Sequence, residues 1–175
     1  VTIVYQRIGK TTMLLDELNK GDYILDFVGP LGKPTLTDGA EKVVIIGGGV
    51  GCAIAFPQAK QLYRAGKKVD IIAGFRNKDL IILEDEMKKV CDNLFIMTDD
   101  GSNGNKGFVT NCLENQIKNG YTYDLAIAIG PLAMMKAVCE LTKEHNIKTI
   151  VSMNPIMIDG TGMCGCCRVT VNGET

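Results

Sequence analysis

The sequence predicts an α/β fold built on a five-stranded parallel, doubly wound sheet. From residue 42 onward, short apolar runs rich in β-branched residues alternate with longer segments of helical spacing, as in a parallel sheet covered on both faces. The run 43–46 then leads directly into a cluster of glycines, which allow a sharp turn from strand to helix. We therefore predict strands at 42–47, 68–73, 93–98, 124–129 and 148–152, and helices near 51–65, 80–90, 107–118 and 132–145.

Composition excludes several classes of protein. The 175 residues suffice for one domain, or for one domain with flanking pieces. Because 19 basic residues balance 20 acidic ones, we expect neither a nucleic-acid surface nor an electrostatic membrane anchor. No apolar run approaches the roughly 18 residues of a membrane span, so the prediction is a cytoplasmic protein. Four of the seven cysteines lie among apolar residues and are interpreted as core residues, namely Cys52, Cys91, Cys112 and Cys139.

Residues 1–40 are interpreted as the end of a β-rich domain. The segments 1–8 and 21–28 are typical of strands, and a short helix between them has Thr11 or Thr12 as its predicted N-cap. The string Gly-Lys-Thr at 9–11 is not a Walker P-loop, because position 4 is valine where that motif needs glycine. Forty residues with two or three strands cannot bury a core alone, so we place a domain boundary at residue 41.

The glycine turn at 47–51 is the first candidate binding site. The N–H groups at the start of the following helix suit an anion such as a nucleotide pyrophosphate. The dinucleotide fingerprint G-x-G-x-x-G would need glycine at position 52, which is Cys52, so the safer interpretation is a generic phosphate-binding turn.

Three further loops follow the carboxyl ends of predicted strands. Arg76 and Lys78 offer positive charge to a ribose phosphate or a pyrophosphate, or form a solvated basic loop. The pair 99–100 could bind Mg²⁺, although a turn with local hydrogen bonds is favoured. Pro131 suits the first position of a helix, and this turn could face the reacting ring of a cofactor. His145, the single histidine, is interpreted as a surface residue at a helix end.

The C-terminal run carries a possible metal motif. Asp159-x₄-Cys164-x₂-Cys167 repeats the C-x₄-C-x₂-C spacing of plant-type [2Fe–2S] proteins, with aspartate in the first place. A fourth ligand is absent after Cys167. A zinc knuckle is the alternative, but there is no second cysteine pair or suitably spaced histidine for it. Cys166 is interpreted as a small filler.

From residue 6 to residue 171 the chain resembles the ferredoxin–NADP reductase-like flavoproteins that serve as electron-transfer subunits. Within that family it is most similar to the alpha subunit of NADH-dependent ferredoxin:NADP oxidoreductase, also called sulfide dehydrogenase. The electron-transfer subunit of dihydroorotate dehydrogenase is a nearby relative, but it has four cysteines where this chain has Asp159. The stretches that carry the resemblance are 28–32, the glycine turn, 74–79, 100–102, 130–135 and the motif at 159–167.

This resemblance implies a domain order and a mechanism. Residues 1–40 would be the remnant of an FAD-binding β-barrel, 41–153 the NAD(P)-binding domain, and 154–175 a truncated [2Fe–2S] segment whose fourth ligand lies beyond the chain end. Hydride would pass from NAD(P)H to FAD, and single electrons would then pass through the cluster to a partner subunit, possibly ferredoxin. No side chain is expected to act as an acid or base.

The residues expected to bind the cofactors follow from the same resemblance. FAD would contact the turn at 9–12. The full set of cofactor-binding residues is Gly9, Thr11, Thr12, Gly47, Gly48, Gly49, Val50, Gly51, Gly74, Arg76, Lys78, Asp100, Gly130, Pro131 and Met134, with Asp159, Cys164 and Cys167 as metal ligands. Two alternatives stay open: an electron-transfer subunit of dihydroorotate dehydrogenase, and a non-catalytic zinc or redox-sensing module that binds another nucleotide.

Overall fold

The computed structural model describes residues 1–37, 39–154, 156 and 158–174. The chain divides into two compact units, one formed by Val1–Leu36 with Asn154–Thr175 and the other by Thr37–Met153. Part of the predicted iron–sulfur segment, at positions 155, 157 and 175, lies outside the described residues. The elements in chain order are α1 (Lys10–Asp16), β1 (Lys42–Gly48), α2 (Cys52–Arg64), β2 (Lys68–Phe75), α3 (Glu84–Lys88), β3 (Asn93–Thr98), α4 (Val109–Lys118), β4 (Leu125–Ile129), α5 (Leu132–Glu144) and β5 (Lys148–Val151).

The unit Thr37–Met153 contains the predicted sheet. Its five strands are all parallel and lie in the order β3-β2-β1-β4-β5. Alternate residues of the central strand face opposite layers, because successive side chains of a strand point to opposite faces. Val43 and Ile45 belong to one buried cluster with α2 and α3, and Val44 and Ile46 belong to another with α4 and α5. The doubly wound α/β prediction is confirmed for this unit.

The second predicted helix is shorter than expected. The sequence predicts a helix near 80–90, whereas α3 covers only Glu84–Lys88 and is preceded by a 3₁₀ turn at Lys78–Leu80. The reason is Leu83, whose φ of 56° and ψ of 24° place it in the left-handed region. A left-handed residue cannot continue a right-handed helix, so α3 begins one residue later.

In the unit formed by both ends of the chain, the described residues form no buried core. None of its described residues is buried, and large apolar side chains such as Tyr23, Leu25 and Val28 are exposed by 89%, 97% and 77%. The strand predictions for 1–8 and 21–28 are wrong, because the described residues 1–37 form no strand. A strand is stabilised by pairing with a neighbour, and β-branched content alone does not supply one.

The N-cap prediction for α1 is also wrong. Gly9 is the N-cap, and Thr12 occupies the third helical position. The Thr12 hydroxyl oxygen accepts hydrogen bonds from the N–H groups of Ile8 and Gly9, both at 3.0 Å, and the hydroxyl donates to the Gly9 carbonyl at 2.9 Å. Thr12 therefore closes the turn from inside the helix.

None of the helices in the described part of the chain has the length and apolarity that a bilayer crossing requires.

Asp124 ties the entry of β1 to the entry of β4. One oxygen of its carboxylate accepts hydrogen bonds from the N–H groups of Glu41 at 3.0 Å and Lys42 at 2.8 Å. These backbone hydrogen bonds hold the pKa of the Asp124 carboxyl below its usual range. The central strand pair is therefore fixed at its amino end by a carboxylate.

We expect the stability of Asp124→Asn to fall less steeply than that of the unaltered protein as the pH is lowered from neutral into acid. A lowered folded-state pKa means that the carboxylate adds stability above the unfolded-state pKa of about 3.9, and that this stability is lost as the pH falls through the folded-state pKa. Unfolding midpoints measured from neutral pH into acid should show a smaller drop for Asp124→Asn. Asp26→Asn, which neutralises an exposed carboxylate in the other unit, is the control, and an unchanged acid limb in Asp124→Asn would contradict the assignment.

Candidate nucleotide site at the carboxyl edge of the sheet

The carboxyl edge of the sheet, defined as the ends of its strands and the loops that follow them, contains a topological switch point. Neighbouring strands β1 and β4 lead into α2 and α5, which pack on opposite faces of the sheet. Crossovers that leave neighbouring strands in opposite directions open a crevice between them, and ligands of open α/β sheets bind there. The glycine turn and the loop at 130–131 border this crevice.

The glycine turn is shaped mainly by close packing. A Cβ atom on Gly47 would lie 2.7 Å from Cys52 Sγ, and one on Gly51 would lie 2.5 Å from the Ile129 carbonyl oxygen. Cβ atoms essentially never come this close to another heavy atom, so a side chain at either position would force neighbouring groups apart. Gly49 differs, because a Cβ there would meet nothing within 4 Å and its φ of 55° is left-handed. Only Gly49 therefore faces open space.

The β4–α5 loop lies directly against this turn. A Cβ atom on Gly48 would lie 2.6 Å from Met134 Sδ and 2.9 Å from Pro131 Cδ, and one on Gly130 would lie 3.1 Å from Gly48 Cα. Pro131 is the N-cap of α5 and not its first helical residue, since the helix begins at Leu132. Met134, which the sequence predicts to contact a cofactor, is half-buried and packs on Gly48. The structure thus brings Gly48, Gly130, Pro131 and Met134 together.

Two other loops are joined to each other at the same edge. The Lys78 N–H donates to Ser102 Oγ at 2.8 Å, and the Asp100 N–H donates to the Arg76 carbonyl at 3.3 Å. Arg76 and Lys78 are exposed. Gly74, near the end of β2, is required by packing, since its Cβ would lie 2.6 Å from Val109 Cγ1. The predicted basic loop is therefore fixed to the loop that follows β3.

Asp100 forms a local turn. One oxygen of its carboxylate accepts hydrogen bonds from the Ser102 N–H at 2.9 Å and from the Ser102 hydroxyl at 2.7 Å. These bonds lower the pKa of Asp100. The arrangement is the hydrogen-bonded turn favoured by the sequence over a Mg²⁺ site.

The loop after β3 also contains polar residues that the sequence analysis did not select. Thr98 is fully buried and its hydroxyl donates to Asn103 Oδ1 at 2.7 Å. Asn103 and Asn105 each donate a side-chain amide hydrogen to the Ile96 carbonyl, at 3.0 and 3.1 Å. The sequence signal for these hydrogen bonds is the dense run of Asn, Ser and Gly after the strand, because Asn and Ser side chains favour bonds to nearby backbone groups.

The opposite, amino edge of the sheet contains a second polar cluster. Asp70 accepts hydrogen bonds from the Tyr123 hydroxyl at 2.9 Å and from Asn93 Nδ2 at 2.7 Å. Burial, followed by the charge of Asp70, raises the pKa of Tyr123. A depression of about 450 Å³ lies beside Asp70 and is bordered by Lys42 and Lys68. Because the carboxylate is paired within the protein, this cluster stabilises the sheet.

The predicted FAD contacts lie in the other unit. Gly9 and Thr12 form the closed turn at the start of α1, and Thr11 is exposed in its first turn. A Cβ atom on Gly9 would meet nothing within 4 Å, so packing does not require glycine at that position.

The predicted metal ligands are not gathered around a common point. Among the described residues no group of three His, Cys, Asp or Glu side chains is placed to hold a metal ion. The Asp159 carboxylate instead accepts hydrogen bonds from the N–H groups of Thr161 and Cys164, both at 3.0 Å. Cys164 is exposed and Cys167 is half-buried. The described residues therefore show no ligand group gathered in advance of a metal, and Asp159 forms hydrogen bonds within its own loop.

Three of the four cysteines that the sequence places in the core are buried, and the fourth, Cys139, is not a core residue. Cys52, Cys91 and Cys112 are buried, and Cys139 is half-buried. Burial raises the pKa of the Cys52 thiol to about 12 and that of Cys91 to about 11, so both stay protonated at neutral pH. Cys52, which stands where the dinucleotide fingerprint has glycine, packs beneath Gly47.

Similar proteins were found by sequence and by structure, although no protein-family model matches the chain. The chain is 50% identical over 182 residues to an uncharacterized protein in the adh 3′ region of Clostridium beijerinckii, covering 99% of this chain and 62% of that protein. It is 45% identical to a homologue of the dihydroorotate dehydrogenase B electron transfer subunit from Thermotoga maritima, covering 98% and 60%. The corresponding subunit of Fusobacterium nucleatum is 36% identical, with 95% and 64% covered.

A solved structure of the NADH-dependent reduced ferredoxin–NADP oxidoreductase, described in connection with flavin-based electron bifurcation, superimposes with a TM-score of 0.86 at 44% identity. It matches 97% of this chain and 61% of that one. The cytochrome b5 reductase domain of Ulva prolifera nitrate reductase shares the fold at 16% identity, with a TM-score of 0.60.

These comparisons confirm the resemblance to ferredoxin–NADP reductase-like flavoproteins. The chain is homologous over nearly its whole length to dihydroorotate dehydrogenase B electron-transfer subunits and to the oxidoreductase of the solved structure. The chain spans about 60% of the length of the Clostridium beijerinckii and Thermotoga maritima relatives.

We expect Gly51→Ala to destabilise the unit Thr37–Met153 by about 1–3 kcal/mol, through overpacking alone. Gly51 has helical φ and ψ of −58° and −23°, so alanine brings no backbone strain, but its Cβ would meet the Ile129 carbonyl at 2.5 Å. Chemical denaturation measures the change. Gly9→Ala, where the new Cβ meets nothing, is the control, and equal stability of Gly51→Ala and the unaltered protein would show that the strands separate more easily than the structure indicates.

Proposed function

We propose that this protein is the electron-transfer subunit of an NAD(P)H-dependent flavoprotein oxidoreductase, and that the unit Thr37–Met153 binds the dinucleotide at its carboxyl edge. The observation that carries the proposal is the glycine turn at the switch point, with Gly49 facing open space beside the β4–α5 loop. The homology to electron-transfer subunits supports the same assignment.

The roles of this chain's residues follow from their positions. The first N–H groups after β1, at Gly49 and Val50, have no partner within the helix that they start, and they would donate to the pyrophosphate. Arg76 and Lys78 would add positive charge at the adenosine end. Gly130 and Pro131 would border the nicotinamide. Bound NAD(P)H supplies a hydride and bound FAD accepts it. The chain's contribution is to bind, orient and exclude water, without an acid or base.

Asp100 is the residue that we propose to favour NADH over NADPH. A carboxylate near the adenosine ribose accepts hydrogen bonds from its hydroxyl groups and repels a 2′-phosphate. The Asp100 carboxylate is ionised at neutral pH, as an ordinary aspartate is, and its hydrogen bonds with Ser102 lower its pKa further. Arg76 and Lys78 act in the opposite direction on a phosphate, so the balance between the two joined loops sets the preference.

FAD binding is proposed for the unit that contains both chain ends. Its described residues lack a buried core, and the relatives are longer than this chain. We propose that residues 1–40 complete an FAD-binding β-barrel in the whole protein, with Gly9, Thr11 and Thr12 near the flavin pyrophosphate. The exposed apolar side chains at 23–28 would then be covered by the remainder of that domain.

The role of the C-terminal motif depends on whether iron is present. Cys164 and Cys167 supply thiolate chemistry that suits a [2Fe–2S] cluster or zinc. The engagement of Asp159 with the backbone argues that Asp159 supports the loop, so no electron transfer step is assigned through this segment.

Asp159→Asn is therefore expected to retain the metal content of the unaltered protein. The N–H groups of Thr161 and Cys164 bond to different oxygens of the Asp159 carboxylate, so the amide keeps an acceptor for one of them and still supports the loop, whereas a ligand carboxylate could not be replaced in this way. Iron, acid-labile sulfide and zinc are measured in the whole protein, with Cys164→Ser as the variant that should lose metal. Loss of metal in Asp159→Asn would make Asp159 a ligand, and zinc without sulfide would favour the zinc module.

Dinucleotide binding is tested at Gly49. Gly49→Val is expected to weaken NADH binding at least about tenfold, because its side chain would fill the open space at the turn. Calorimetric titration with NADH and NADPH measures the dissociation constants. Gly66→Val is the matched control, since Gly66 also has a left-handed φ of 80° and open space around its Cβ but lies at the amino edge.

A protein that binds neither dinucleotide would refute the proposed function, and equal binding by Gly49→Val would place the pyrophosphate elsewhere.

The second candidate, the electron-transfer subunit of dihydroorotate dehydrogenase, is favoured by the Fusobacterium nucleatum relative. Reconstitution with the catalytic subunit of that enzyme, followed by dihydroorotate oxidation with NAD⁺, separates the two oxidoreductases.

A further inference from the structure

Ser102 is the side-chain connection between the two loops at the adenosine end of the proposed site. Its hydroxyl oxygen accepts the Lys78 N–H at 2.8 Å from the loop after β2, while its O–H donates to Asp100 at 2.7 Å. The neighbouring bonds use only backbone atoms: the Asp100 N–H donates to the Arg76 carbonyl at 3.3 Å, and the Asp99 N–H donates to the carbonyl of Phe75, the last residue of β2, at 3.0 Å. A single hydroxyl therefore connects a carboxylate on one loop to the basic segment of the other.

The loop that carries Ser102 is itself rigidly held. The buried Thr98 hydroxyl bonds to Asn103, and Asn103 bonds to the Ile96 carbonyl of β3. Asn105 donates its backbone N–H to Asn103 Oδ1 at 3.0 Å. Ser102 thus extends from an anchored loop to the loop after β2, where Arg76 and Lys78 are exposed.

We propose that Ser102 is a positioning residue that sets the preference between NADH and NADPH, an inference that rests on the proposed dinucleotide site. The geometry points to this role because Ser102 fixes Asp100 relative to Arg76 and Lys78. A ribose hydroxyl is recognised by the orientation of the Asp100 carboxylate, and a 2′-phosphate responds to the sum of the charges around it. Removing the hydroxyl leaves the Asp100 carboxylate with the Ser102 N–H as its remaining bond to that residue, and it leaves the basic loop held to the loop after β3 by backbone bonds alone.

Ser102→Ala is expected to weaken NADH binding about three- to tenfold, the loss that corresponds to one or two hydrogen bonds. NADPH binding should weaken less, because the cations of the less firmly held loop approach the 2′-phosphate more freely, so the ratio of the two dissociation constants should shift at least about threefold toward NADPH. Amide hydrogen exchange at Lys78 should become faster. Ser102→Thr keeps the hydroxyl and should restore both affinities.

Thr122→Val is the matched control, since it removes a hydroxyl that bonds to the Lys42 ammonium at the amino edge. If Ser102→Ala lowers the unfolding midpoint, Ser102→Cys carries the same expectation, because the thiol keeps the side-chain size and forms weaker hydrogen bonds. The positioning role would be overturned if the binding of NADH and the binding of NADPH weakened equally. It would also be overturned if both affinities were unchanged while amide exchange at Lys78 became faster. Failure of the unaltered protein to bind either dinucleotide would instead overturn the proposed function.

Discussion

The close approach of the β1 turn to the β4–α5 loop is the constraint on which the candidate site depends. Gly51 lies against the Ile129 carbonyl, and Gly48 lies against Pro131 and Met134, at distances that leave no room for a Cβ atom. This contact draws together two neighbouring strands whose helices diverge to opposite faces, and it fixes the walls of the crevice between them. Packing thus accounts for most of the glycine cluster, and only Gly49 is left exposed to a ligand.

The sequence was sufficient to predict the sheet, because buried parallel strands produce continuous apolar runs and the intervening helices follow a different period. It also located the turns at 47–51 and 130–131, since glycine and proline there interrupt apolar runs. Element ends were harder to predict. Leu83 adopts a left-handed conformation that composition does not reveal, and it shortens α3.

The sequence failed where structure depends on partners. The segments 1–8 and 21–28 have the composition of strands, yet they form none in the described residues, because pairing is a property of two segments. Side-chain hydrogen bonds posed the same problem at the site. Nothing in the spacing of Asp159 indicated that its carboxylate accepts hydrogen bonds from its own loop, and Ser102 carries no motif, although it joins two loops. Spacing along the chain constrains geometry only within one element.

The loop after β3 has a consequence for how the molecule behaves in a crowded solution. β3 is an edge strand, and an open edge presents unpaired backbone groups that other chains can extend into a larger sheet. Asn103 and Asn105 both donate to the Ile96 carbonyl, and Thr98 pairs with Lys106 beyond the end of the strand. The loop that carries Asp100 therefore also occupies the Ile96 carbonyl and the end of β3, where the backbone of another chain could otherwise add to the sheet.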